Sequence, residues 1–62
     1  MDIRKINIGD KVCNPQDGFP MIVVGLYSLL SDLSNGTVSL DFEGNEGDMW
    51  EEEAKDLILY KA

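Results

Sequence analysis

Met21-Ile22-Val23-Val24-Gly25-Leu26-Tyr27 is the stretch whose reading decides the fold. It is rich in β-branched side chains, unbroken by charge, and bounded by chain breakers, which is the pattern of a β-strand. It is far shorter than the ~20 apolar residues that a membrane-spanning helix needs. Its continuous apolar character predicts burial on both faces, as for a central strand. Gly25 in its middle allows a sharp bend or a bulge.

Upstream, residues 14–20 (Asn-Pro-Gln-Asp-Gly-Phe-Pro) hold two prolines and a glycine, so they form a loop with turns. Before them, Lys11-Val12-Cys13 continues as a strand with Val12 inward. Gly9-Asp10 makes a turn, and residues 3–8 alternate so that Ile6 and Ile8 face one side. Downstream, residues 28–34 have leucines at helical spacing (Leu29, Leu30, Leu33) but are too few for a stable helix. An irregular loop or a single turn is expected there. Asn35-Gly36 is a hairpin signal, since both residues tolerate positive φ.

Residues 37–42 alternate with period two, placing Val38, Leu40 and Phe42 in the core and Thr37, Ser39 and Asp41 in water. Residues 43–47 read as a turn, and 48–52 as the paired strand with Trp50 inward. Residues 53–56 read as a short 3₁₀ turn and 57–60 as a last strand.

These segments predict a mainly β fold: five short strands in a small closed barrel, with one short helical or 3₁₀ turn. The alternative is an open three- or four-stranded sheet packed on a helix at 28–34 or 51–57. Sixty-two residues suffice for one domain, 1–62, with a single thin core and stability of roughly 3–5 kcal/mol.

Ile8-Gly9-Asp10-Lys11-Val12, followed by Gly18-Phe19-Pro20-Met21-Ile22-Val23, resembles the opening of small uncharacterised bacterial proteins of the YodC-like kind. The second half is similar in outline: Phe42 ending a strand, an acidic turn, Trp50, then Leu57 before the final strand. The Gly-Asp-x-Val start also resembles KOW- and Tudor-type barrels. The resemblance implies an SH3-like barrel and no activity. The chain departs from the YodC-like pattern in a loop proline placed one position later and in residues 28–36, which look like an insertion.

The charge is one-sided. Residues 1–31 are neutral overall, and residues 32–62 carry the whole formal charge of −7. Nucleic-acid binding draws its affinity from Lys and Arg on phosphates, so this balance argues against direct binding. The chain has no histidine, which excludes a His-based triad or general base within it. Cys13, the single cysteine, reads as a small apolar strand residue and not as a reactive thiol. No disulfide is possible within the chain. With no signal-peptide core visible, the protein reads as cytoplasmic.

Asp41, Glu43, Asn45 and Glu52 fall at positions one, three, five and twelve of a calcium loop. Position six is Glu46 where a glycine is needed, and the flanks read as strands, so no metal and no cofactor are expected. Phe19, between Gly18 and Pro20, is either a packed loop anchor or, with Tyr27 or Tyr60, one wall of a groove for proline-rich peptides.

The expectation is a non-enzymatic protein-interaction module that binds another protein through Phe19, Asp41, Glu43, Glu46, Asp48 and Glu51, without membrane attachment, as a monomer or weak homodimer. The alternatives are a nucleic-acid-associated or nucleic-acid-mimicking domain, and a structural subunit that buries Leu29, Leu30 and Leu33 against a partner.

Overall fold

The computed structural model describes residues 1–42 and 45–60, and of 45–48 the backbone alone. Five strands form one antiparallel sheet: β1 (Lys11–Cys13), β2 (Met21–Ser28), β3 (Gly36–Phe42), β4 (Asn45–Glu53) and β5 (Ile58–Leu59). Their order is β4-β3-β2-β1-β5. The first four strands meander, and the fifth returns to the free side of β1, pairing Val12 with Leu59 and Cys13 with Ile58. Two 3₁₀ turns, Ile3–Lys5 and Ala54–Asp56, complete the regular structure of the described residues. None of their helices is long and apolar enough to cross a membrane.

The core lies on one face of the sheet. Val12, Val23, Val38 and Leu40 are sealed there, together with Ala54 and Leu57 from the second 3₁₀ turn and its end. Ile3 and Ile6 close the core from the N-terminal segment. The α-amino group of Met1 donates to the carbonyls of Ala54 (2.8 Å) and Leu57 (3.0 Å), so the two 3₁₀ regions hold each other.

Residues 3–8 do not form the expected strand. The Asp2 carboxylate accepts from the Arg4 amide at 2.9 Å and grips its guanidinium at 2.7 Å, which caps a 3₁₀ turn instead. The inward pair is therefore Ile3 and Ile6, three apart as a 3₁₀ turn requires. Ile8 is exposed.

β2 is the middle strand of the five, but only one of its faces is buried. Met21 and Val23 are inside, while Val24 and Tyr27 are exposed. A chain this short builds one core and has no second layer to cover the other face. The bulge anticipated at Gly25 is present: the register passes from Val23↔Leu40 to Gly25↔Ser39, leaving Val24 as the extra residue. A Cβ on Gly25 would come 3.2 Å from the Tyr27 ring and 3.3 Å from the Ser39 Cβ. The ring thus lies against this small-residue row, and Ser39, expected in water, is buried.

Asn35-Gly36 is not the turn of the β2–β3 hairpin. Residues 29–35 make the connection, with Leu29 N–H donating to the Asn35 carbonyl (3.0 Å) and Asn35 N–H to the Asp32 carbonyl (3.2 Å). Gly36 already pairs with Ser28, and its φ is not positive. Glycine is required there by close approach: a Cβ would strike the Tyr27 carbonyl and sit 2.7 Å from the Ser28 Cα. The connection is irregular, as expected, and leaves Leu29, Leu30 and Leu33 exposed.

β4 begins at Asn45, within the residues 43–47 expected as a turn. Glu43 and Gly44 lie outside the described residues. Trp50 is not inward in the sense expected. It pairs with the fully buried Leu40 and shares its face, yet it is 53% exposed. β4 is an edge strand, so nothing beyond it covers the indole. Phe42 is half-buried against the core and meets Trp50 at 6.4 Å between ring centroids, tilted by 59°.

Candidate docking surface

The register assembles an outer face, opposite the core, from three cross-strand rows. They are Tyr27–Thr37–Glu53, Gly25–Ser39–Glu51 and Lys11–Ile22–Asp41. Directly opposed residues share a face, and alternate residues along a strand share it too. Asp41 and Glu51, both anticipated as binding residues, therefore stand on the same face of neighbouring strands. Glu46 and Asp48 belong to β4, but their side chains are outside the described residues, as is Glu43 altogether.

Glu51 and Glu53 are exposed. Lys55 reaches Glu53 at 3.2 Å, and that hydrogen-bonded pairing raises the lysine's pKa. Asp41 is half-buried, and its Oδ1 is sealed from solvent with no hydrogen-bond partner among the described residues. Met49, adjacent to Trp50 on β4, is exposed. Glu52 points the other way, toward the core side, where its carboxylate accepts from the Asn14 amide at 3.1 Å. Asp41 and Glu52 thus leave on opposite faces of one hairpin, which separates the first and last positions of the calcium-loop pattern. Among the described residues no three potential ligands converge on a metal position.

Phe19 is placed by a tightly bonded loop. The Asn14 side chain accepts from Gln16 N–H (3.0 Å), and its carbonyl accepts from Gly18 N–H (2.8 Å). Gly18 takes φ 71°, a region that suits glycine, and the Asp17 carboxylate accepts from Phe19 N–H at 3.2 Å. The result is an exposed ring, not a packed anchor. Nor does it share a groove wall with Tyr27. The two lie at opposite ends of β2, about 20 Å apart at ~3.3 Å per residue. Tyr60 is committed elsewhere: its N–H donates to the Lys11 carbonyl at 3.0 Å, and Lys11 Nζ lies 5.8 Å from its ring.

A shallow cleft of about 320 Å³ separates Asn14, Pro15 and Gln16 from Lys55, Asp56 and Ile58. It holds no nucleophile with a base beside it. The Cys13 thiol is buried in β1 and is not among the residues that line this cleft. The surface can therefore offer charge, exposed apolar side chains and a free strand edge.

Reading the sequence alone missed Met49 as a surface residue and took Trp50 as inward. A register counted outward from the β3–β4 pairing would have placed Glu53 beside Glu51. Nothing local signals that Met49 and Trp50 lie at an edge. Comparison with known proteins finds no matching family model, no similar curated protein and no similar solved structure.

Proposed function

We propose that this chain is a non-catalytic, cytoplasmic protein-interaction module of SH3-like barrel type that docks a basic protein through the outer face and edge of β4. One observation carries the reading. Exposed Met49 and Trp50 lie next to exposed Glu51 and Glu53 on a single edge strand. Apolar side chains held in water beside charges of one sign are what a partner of opposite charge would cover.

Support for the barrel reading comes from β5 returning to β1 directly after a 3₁₀ turn. The Asn14–Glu52 hydrogen bond adds to it, linking the end of β1 to the far strand β4 across the core side. A buried free thiol accords with a reducing compartment. Direct nucleic-acid binding is disfavoured by the formal charge of −7.

Trp50 is the only tryptophan in the chain and stands exposed on the β4 edge next to Glu51, so its fluorescence reports on binding at that edge. Titration with a lysine-rich peptide should shift the Trp50 emission at low salt, and the shift should fade at high salt. An unchanged spectrum at low salt would remove the acidic-face reading.

A second reading, a structural subunit of a larger assembly, is favoured by Leu30, which is wholly exposed between the exposed Leu29 and Leu33. Its test is sedimentation of the wild type against Leu30→Ser. A species that is monomeric at every concentration in both would count against self-assembly through this loop.

A further inference from the structure

The sheet has two edges, and they differ in length. β5 offers two residues, about 7 Å of backbone, whereas β4 spans Asn45–Glu53 and its ladder with β3 is regular over 50–53. An edge strand presents unpaired N–H and C=O groups that can template another strand. Residues 45–53 contain no proline that would remove those donors, and no lysine or arginine. Their charge is of one sign: Glu46, Asp48, Glu51, Glu52 and Glu53. Two such edges repel each other, so a second copy of this strand is excluded as the occupant.

We infer that β4 binds its partner by strand addition, the occupant being an extended segment of a basic protein that alternates lysine or arginine with apolar residues. The inference rests on the acidic docking reading above and specifies its geometry. Glu51 and Glu53 share the outer face, while Trp50 lies on the face of Leu40. A strand laid along 50–53 would set its basic residues against Glu51 and Glu53 and its intervening apolar residues against Trp50. Backbone hydrogen bonds would supply affinity, and the alternating side chains specificity.

The test uses the whole chain and three end-capped eight-residue peptides of alternating lysine and valine. One is unmodified, one is N-methylated on alternate residues along one edge, and one is N-methylated along the other edge. Binding is read from Trp50 fluorescence and from hydrogen exchange of the 50–53 amides. Strand addition predicts that one methylated peptide binds about 10-fold or more weakly than the unmodified one, while the other stays within about twofold. It also predicts slowed exchange at 50–53, and weaker, less salt-sensitive binding by Glu51→Lys. If all three peptides bind alike, strand addition is overturned and docking on the acidic face survives. If none binds at low salt, both readings fall.

Discussion

Val23 and Val24 are neighbours in one strand with the same side chain, yet Val23 is sealed in the core and Val24 is 42% exposed. The contrast extends to the two faces of the whole sheet. The inner face is a closed layer of Val12, Val23, Val38, Leu40 and Leu57. The outer face and the β4 edge mix Tyr27, Met49 and Trp50 with Asp41, Glu51 and Glu53. The difference follows from the number of layers. Two short 3₁₀ turns and an N-terminal segment can cover one side of a five-stranded sheet, and no chain is left for the other. Hydrophobic residues on the uncovered side are then either surface or interface.

The sharpest way to break the contrast is to cut into the inner face. Leu40→Ala should cost about 2–5 kcal/mol, comparable with the whole stability expected of a chain this size. Urea unfolding should show a largely unfolded variant at 25 °C, and a midpoint near wild type would mean that the inner face is not the core.

Gly36→Ala should come next, at about 3 kcal/mol, because the new Cβ meets the backbone of Tyr27 and Ser28, which cannot rotate away. Gly25→Ala meets the Tyr27 ring and the Ser39 Cβ at 3.2–3.3 Å, and the ring can swing aside. Its cost should stay below about 1 kcal/mol and be accompanied by a changed tyrosine environment in near-ultraviolet circular dichroism. Equal effects at the two glycines would mean that close approach does not explain Gly36.

On the outer face, Glu51→Lys should leave stability within about 0.5 kcal/mol of wild type while slowing association with a basic partner. A large loss of stability would show that Glu51 belongs to the fold rather than to a binding surface.

The smallest effect concerns acid. The Arg4 guanidinium and amide hold the Asp2 carboxyl at about 2, below its ordinary 3.8. A depressed carboxylate contributes stability that is full above the ordinary value and is lost as pH falls through the folded one. Asp2→Asn should therefore flatten the acid limb of the stability curve between about pH 4 and 2. An unaltered limb would mean that the Asp2–Arg4 contact does not persist in solution.

The extent to which the sequence was legible follows from how local each signal is. The Pro/Gly loop at 14–20 is dictated by φ restraints within a few residues. The bulge at Gly25, the alternation at Val38 and Leu40, and the 3₁₀ turn at 54–56 are likewise local. Residues 3–8 misled because Asp2 captures the Arg4 amide, an outcome that alternating isoleucines conceal. Asn35-Gly36 misled because glycine serves two different needs, positive φ and close approach, and the letters do not distinguish them. Among the candidate binding residues, period-two counting puts Asp41 and Glu51 on the outer face of the hairpin; Glu51 is exposed there, whereas Asp41 is half-buried. Phe19 was legible as a loop residue, but its exposure was not.

What the sequence determined by itself was the inventory of short strands, the breakers between them, the one-sided charge and the lack of a histidine. Those depend on backbone restraints and on composition, which the chain carries wherever it lies. Only the tertiary structure decided which face of β2 is covered, that β4 is an edge, and that Trp50 is left exposed there with Glu51 and Glu53 on the opposite face. Burial is a property of what packs against a residue, and in this protein the covering groups are Ile3, Ile6, Ala54 and Leu57, which lie outside β2 and β3 and far along the chain from Val23.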